Sequence, residues 1–123
     1  MIGVIDYGAG NLSSVLKAVK KLGYDAKVIS TAKEINEADA YILPGVGAFC
    51  QAMEGIAQIK DVLLQNISEG KYILGICLGM QMLFDKSYED GEYDGLGLLP
   101  GQVKLLEVSP LKVPHMGWNQ LVE

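Results

Sequence analysis

Four short apolar runs alternate with segments of helical periodicity over residues 2–84, and this alternation constrains the fold more than any other feature of the sequence. The runs are mostly apolar on both faces, as in strands of parallel sheets that are covered by helices on each side. They comprise Ile2 to Tyr7, Ala26 to Ile29, Ala40 to Leu43 and Tyr72 to Ile76. The pattern therefore predicts an α/β protein with a doubly wound, mostly parallel sheet.

Helical periodicity predicts the segments that cover this sheet. Apolar residues recur three and four positions apart after residue 12, and Gly23 then provides an end signal. A second helical segment runs from about Phe49 to Ser68, and a third from Leu78 to about Phe84. After Asp90, glycines and prolines break the chain into turns. Val103 to Val108 predicts a further strand, in an antiparallel hairpin layer beside the main sheet.

Composition argues against several classes of function. The 123 residues suffice for one domain, and a net charge of -5 without any Lys/Arg cluster argues against nucleic acid or an anionic membrane as partner. The apolar runs are too short to span a bilayer, and the N-terminus lacks the features of a secretory signal, so we expect a soluble, cytoplasmic protein. Cys50 and Cys77 lie in unlike contexts, and His115 is the only histidine. We therefore expect no disulfide, no metal and no cofactor.

The strongest chemical signal is a Gly-x-Cys-x-Gly turn, residues 75–79, between a predicted strand and a predicted helix. This arrangement is a nucleophile elbow, in which a tight turn holds the nucleophile in a strained backbone conformation. Glycines are needed on either side because neighbouring chain crowds the turn. Cys77 is thus the candidate nucleophile, and the amide of Leu78 can face the oxyanion formed by its attack. The alternative is an unreactive core thiol in an ordinary strand–helix turn.

A second glycine-containing loop, Pro44-Gly45-Val46-Gly47, follows the third predicted strand. In a parallel sheet it emerges at the same carboxyl edge as Cys77. A peptide flanked by glycines can turn its N–H into the site, which would supply a second oxyanion donor. Taken alone, the loop is better interpreted as an ordinary strand–helix connection whose glycines serve the turn.

Together, and at this separation, the two loops resemble those of class I glutamine amidotransferases. Three further segments, residues 6–11, 94–101 and 114–119, are similar to one branch of that family, the glutaminase subunits of imidazole glycerol phosphate synthases. Their sequences are Asp-Tyr-Gly-Ala-Gly-Asn, Asp-Gly-Leu-Gly-Leu-Leu-Pro-Gly and Pro-His-Met-Gly-Trp-Asn. The resemblance covers essentially the whole chain. It implies that residues 1–123 are the N-terminal part of a single amidotransferase domain, flavodoxin-like and three-layered, incomplete at its C-terminus.

The resemblance also implies a reaction and a set of roles. Cys77 would attack the carboxamide of glutamine and release ammonia through a glutamyl thioester, and a cyclase subunit would use that ammonia to make imidazole glycerol phosphate in histidine biosynthesis. The oxyanion hole would be formed by the amides of Val46 and Leu78. Positions that hold the substrate would be Gly47, Gln81 and Glu89, the last through the α-amino group. Positions that face the cyclase would be Asn11, His115, Met116, Trp118 and Asn119.

One element of the resemblance is missing from these residues. The family takes its general base from a histidine in a late Phe-His-Pro-Glu-like segment, and the sequence contains no such segment. His115 lies in the partner-facing stretch, so we do not expect it to substitute. We expect a truncated or split subunit that carries only part of the machinery, leaves apolar surface uncovered, and is poorly soluble or associates with another chain. The alternatives are a catalytically silent fragment that docks the cyclase, and a different thiol hydrolase with a similar elbow.

Overall fold

Four parallel strands form the main sheet of this computed structural model, which describes residues 1–106, 117–118 and 120–121. In chain order they are β1 (Ile2–Ile5), β2 (Ala26–Ile29), β3 (Ala40–Leu43) and β4 (Tyr72–Gly75). Their order in the sheet is β2-β1-β3-β4, and all three pairings are parallel. The predicted parallel sheet is confirmed, and its strand order is that of flavodoxin-like folds.

Helices pack on both faces of this sheet. Within the described residues they are α1 (Leu12–Lys21), α2 (Ala32–Glu37), α3 (Phe49–Ile56), α4 (Lys60–Ser68) and α5 (Leu78–Met82). On one face, Val19 of α1 packs with Ala26 and Ile42 of the sheet. Residues of the other four helices share a second, larger apolar cluster with the opposite face. The doubly wound arrangement is therefore present.

The prediction of one continuous helix over residues 49–68 is wrong, because residues 57–59 are not helical and separate α3 from α4. The two halves have different neighbours, since α3 contacts α5 whereas α4 contacts α2. The break lets Ile56 and Ile59 both enter the core. The structure also contains α2, which we did not predict. A reciprocal capping box begins it: the Thr31 side chain accepts from the Glu34 backbone, and the Glu34 carboxylate accepts from the Thr31 N–H.

A small mixed sheet follows the nucleophile segment and changes two boundaries. It contains β5 (Phe84–Ser87), β6 (Tyr93–Asp94) and β7 (Leu99–Val103), in the order β6-β5-β7. Phe84 therefore belongs to a strand and not to the preceding helix. The strand predicted from Val103 to Val108 instead ends at Val103; residues 104–106 lie outside it, and 107–108 are outside the described residues. The predicted antiparallel layer is therefore antiparallel only between β5 and β6, whereas β7 pairs with β5 in parallel.

The edge strand β4 leaves apolar side chains uncovered, as predicted. Tyr72 is 83% exposed and Leu74 57% exposed. Leu74 pairs in register with Ile42, which is buried under the α1 side of the sheet. Among the residues that the structure describes, coverage on that side therefore stops between β3 and β4. No helix in the described part of the chain is both long and apolar enough to cross a bilayer.

Candidate active site

Cys77 lies two residues after the end of β4 and is the N-cap residue of α5, with backbone angles φ 56° and ψ −118°. Positive φ is uncommon for a residue with a Cβ; an unusual conformation of this kind costs on the order of 1–3 kcal/mol and persists only where its surroundings enforce it. The thiol is free and the residue is exposed. The structure thus has the predicted strained turn and does not fit the alternative of an unreactive core thiol.

Both glycines of the elbow are required by close backbone contacts. A Cβ at Gly79 would overlap the carbonyl group of Leu43, lying 2.6 Å from its carbon. A Cβ at Gly75 would lie 2.6 Å from the Cα of Met80. Because these neighbours are backbone atoms of packed elements, a side chain at Gly79 would force α5 away from β3, and one at Gly75 would force β4 away from α5. The predicted crowding around Cys77 is confirmed.

The loop after β3 lies beside the elbow, as predicted from the parallel sheet. The N–H of Ile76 donates to the carbonyl of Leu43 at 2.9 Å, and the N–H of Leu78 donates to the carbonyl of Gly45 at 3.3 Å. Gly47 has φ 109° with open space around it, so its conformation favours glycine. One predicted oxyanion donor, the amide of Leu78, is therefore engaged by the neighbouring loop. An oxyanion at Cys77 would have to share or displace that bond.

Tyr7 is a site residue that our sequence reasoning missed. Its hydroxyl donates to the carbonyl oxygen of Pro44 at 2.6 Å, and the side chain is buried. Burial, and to a smaller extent the charge of the nearby Cys77, raises the pKa of Tyr7 to about 12. The hydroxyl also lies against Gly45, where a Cβ would overlap it. Tyr7 therefore joins the end of β1 to the loop beside the nucleophile.

Two cavities flank this arrangement. One, of about 680 Å³, is lined by both predicted glutamine-binding side chains, Gln81 and Glu89, together with Asp90 and Lys104. The other, of about 310 Å³, lies between the turn after β1 and the loop after β3, where the strand order of the sheet reverses. The structure thus brings Gln81 and Glu89 together, whereas Cys77 and the predicted Gly47 line neither cavity.

The predicted partner-facing positions are only partly described. The side chain of Asn11 is exposed and accepts from the N–H of Ser14 at 3.2 Å, which caps α1. Trp118 is fully exposed and therefore does not pack into a core. His115, Met116 and Asn119 are outside the described residues. A role of any of these positions in an interface stays a prediction.

Comparison with known proteins decides the family. The model of the family Glutamine amidotransferase class-I matches residues 3–123. The chain belongs to this family. A solved structure described as a glutamine amidotransferase superposes with a TM-score of 0.71 at 25% identity, over 82% of this chain and 54% of that one. A peptidase E protein from Listeria monocytogenes EGD-e shares the fold alone, with a TM-score of 0.65 at 16% identity over 80% of this chain and 62% of its own.

Curated relatives in the amidotransferase family are about half identical to this chain. Imidazole glycerol phosphate synthase subunit HisH of Bacillus subtilis is 52% identical over 98% of this chain and 60% of its own length. The protein of the same name from Aquifex aeolicus is 51% identical over 96% of this chain and 58% of its own. The chain spans about three fifths of the length of these relatives. Among the residues that the structure describes, no three potential metal ligands come together.

Proposed function

We propose that this chain carries the nucleophile of a glutaminase that releases ammonia from glutamine through a thioester on Cys77. The observation that carries the proposal is the strained, exposed elbow of Cys77 beside the loop of residues 44–47. That geometry occurs in a chain of the class I glutamine amidotransferase family. Hydrolysis of a carboxamide requires a nucleophile held next to donors that can stabilise an oxyanion, and these two segments would supply that combination.

The reaction would proceed in two stages. The sulfur of Cys77 forms a bond to the carboxamide carbon of glutamine, negative charge moves to the carbonyl oxygen, and the C–N bond then breaks. The nitrogen leaves as ammonia after taking up the proton of the thiol. Water adds to the thioester carbon, the C–S bond breaks, and glutamate and the free thiol result. A proton carrier is needed in both stages, and we assign this role to none of the described residues.

The larger cavity supports glutamine as the substrate. A free α-amino acid carries an ammonium and a carboxylate, and this cavity is lined by the carboxylates of Glu89 and Asp90 and by the ammonium of Lys104. Glu89 would bind the α-ammonium group, and Lys104 would attract the α-carboxylate. The side-chain amide of Gln81 provides both a donor and an acceptor in the same cavity.

We further propose that the ammonia passes to a cyclase subunit of an imidazole glycerol phosphate synthase, in the cytoplasm. Support comes from the relatives that are about 50% identical and bear the name of a subunit of that synthase. Trp118 is fully exposed, and exposed aromatic side chains are common anchors of protein interfaces. A reducing compartment would also keep Cys77 as the thiol that the reaction requires.

The test is glutamate release from glutamine by this chain mixed with the cyclase subunit and its nucleotide ligand. Cys77→Ala should abolish release, whereas Cys50→Ala, which changes the other free thiol, should retain it. Adding His115→Gln asks whether the one histidine of the sequence carries the proton. Turnover that survives Cys77→Ala would refute the proposed nucleophile. No turnover by a folded chain that binds the cyclase would favour the alternative of a docking module.

A further inference from the structure

We infer that Tyr7 is a positioning residue, whose hydroxyl fixes the loop of residues 44–47 against the Cys77 elbow. The inference rests on the proposed function only in the choice of reaction, because the contact itself is a feature of the fold. Tyr7 follows β1, the loop follows β3 and Cys77 follows β4, so three strand ends meet at one point of the sheet.

Three consecutive carbonyl groups at the start of this loop each accept a hydrogen bond. The carbonyl of Leu43 accepts from the N–H of Ile76, and the carbonyl of Gly45 accepts from the N–H of Leu78. Between them, the carbonyl of Pro44 accepts from the hydroxyl of Tyr7. The two outer bonds come from the backbone of the elbow. The middle bond comes from a side chain, so a substitution can remove it alone.

The position of the loop matters because its amides face the reacting atoms in the proposed mechanism. A donor acts on an oxyanion only within about 2.7–3.1 Å of it, and misplacing a reacting group by about 1 Å can cost on the order of a hundredfold in rate. Without the Tyr7 hydroxyl, the Pro44 carbonyl would lose its buried partner. The peptide could then turn to find another, which would move the amide of Val46.

Close packing holds Tyr7 itself in place. Gly45 accommodates its hydroxyl, and Gly55 of α3 accommodates its backbone carbonyl, since a Cβ at either glycine would overlap the tyrosine. The pKa of Tyr7, raised to about 12 by burial and by Cys77, keeps the hydroxyl protonated as a donor between pH 6 and 10. If Tyr7 acts only by positioning the loop, its effect should not depend on pH in that range. If it acted as an acid or base, its effect would change with pH.

A matched control exists in the same sheet. Tyr41 is also buried, and its hydroxyl donates to the backbone carbonyl of Ile35 at 2.6 Å. Tyr41→Phe thus removes a bond of the same kind and length, away from the elbow. We would make Tyr7→Phe and Tyr41→Phe in a Cys50→Ala chain, which leaves Cys77 as the one thiol. Thermal unfolding would show that both variants are folded.

Three reagents separate the possible roles. Methyl methanethiosulfonate reports the reactivity of the thiol alone. In chloroacetone the sulfur displaces chloride from the carbon beside a carbonyl, whose oxygen gains partial negative charge in the transition state and so responds to nearby N–H donors. A chloroketone analogue of glutamine adds substrate recognition. Tyr7→Phe should lower the chloroacetone rate relative to the methanethiosulfonate rate about tenfold, equally from pH 6 to 10. Tyr41→Phe should change that ratio less than about twofold. Gly55→Ala, which displaces Tyr7 with its hydroxyl intact, should lower it as well.

Equal ratios in Tyr7→Phe and Tyr41→Phe would overturn the inference, as would an effect of Tyr7→Phe that titrates between pH 6 and 10. Failure of the proposed function has a different signature. The glutamine analogue would then label the parent Cys50→Ala chain no faster than chloroacetone does, while the ratio that tests Tyr7 could still be measured.

Discussion

Replacing Cys77 by glycine should stabilise the fold more than replacing it by alanine, although both changes remove the nucleophile. At φ 56° and ψ −118° a residue with a Cβ is strained, by on the order of 1–3 kcal/mol. Glycine adopts such angles without strain but loses more conformational entropy on folding, by roughly 0.5–1 kcal/mol. We therefore expect Cys77→Gly to exceed Cys77→Ala in free energy of unfolding by about 1 kcal/mol, or about 4 °C in Tm for a domain of this size.

Urea unfolding of the two variants, followed by circular dichroism, measures this difference. Lys17 offers a control of opposite sign, because it is exposed in the middle of α1, where the backbone is helical. There, glycine should be less stable than alanine by about 1 kcal/mol. The elbow stores no strain if Cys77→Ala has a free energy of unfolding equal to or above that of Cys77→Gly. This conclusion requires that glycine at Lys17 still be less stable than alanine there by about 1 kcal/mol.

Three further predictions follow from contacts, charge and exposure. Gly79→Ala should cost about 3 kcal/mol in unfolding free energy through overlap with β3. Gly70→Ala, where φ is positive but space is open, should cost about 1 kcal/mol, and equal costs would contradict this. The pKa of Glu34 is lowered from 4.5 to about 2, first by the N–H of Ser30, so its stabilisation should be present above about pH 4.5 and vanish towards pH 2. The urea midpoint of the Glu34→Gln variant should thus approach that of the parent chain as the pH falls from 4.5 towards 2. A difference between the two midpoints that does not change with pH would refute this. Leu74→Lys should reduce self-association in light scattering without lowering Tm, and an unchanged association would exclude β4 as its cause.

The sheet could be predicted from the sequence because each of its strands is encoded locally. Ala26–Ile29 and Ala40–Leu43 are short, mostly apolar runs that each follow an aspartate, and both strands have the predicted bounds. The elbow was likewise predictable, since a Gly-x-Cys-x-Gly turn between a strand and a helix has few other uses. Local signals of this kind require no knowledge of which elements become neighbours.

The missed features depend on neighbours that are distant in sequence. A continuous apolar stripe over residues 49–68 gave no sign of the break, which arises because α3 and α4 pack against different helices. Tyr7 stood in a segment that we had singled out, yet its hydroxyl acts on Pro44, 37 residues away. Only α2 had a local signal that we overlooked, the capping box of Thr31 and Glu34.

The position of Tyr7 explains why the strand order matters for the chemistry. Because β3 lies between β1 and β4, its loop is contacted from one side by the turn after β1 and from the other by the elbow. Gly45 lies at this crossing, where a Cβ would overlap the Tyr7 hydroxyl and approach the Cβ of Leu78 to 3.0 Å. Glycine at this position therefore lets both neighbours approach the same peptide. A change at either neighbour should move that peptide, so the effects of Tyr7→Phe and of elbow substitutions on carbonyl reactivity should be non-additive.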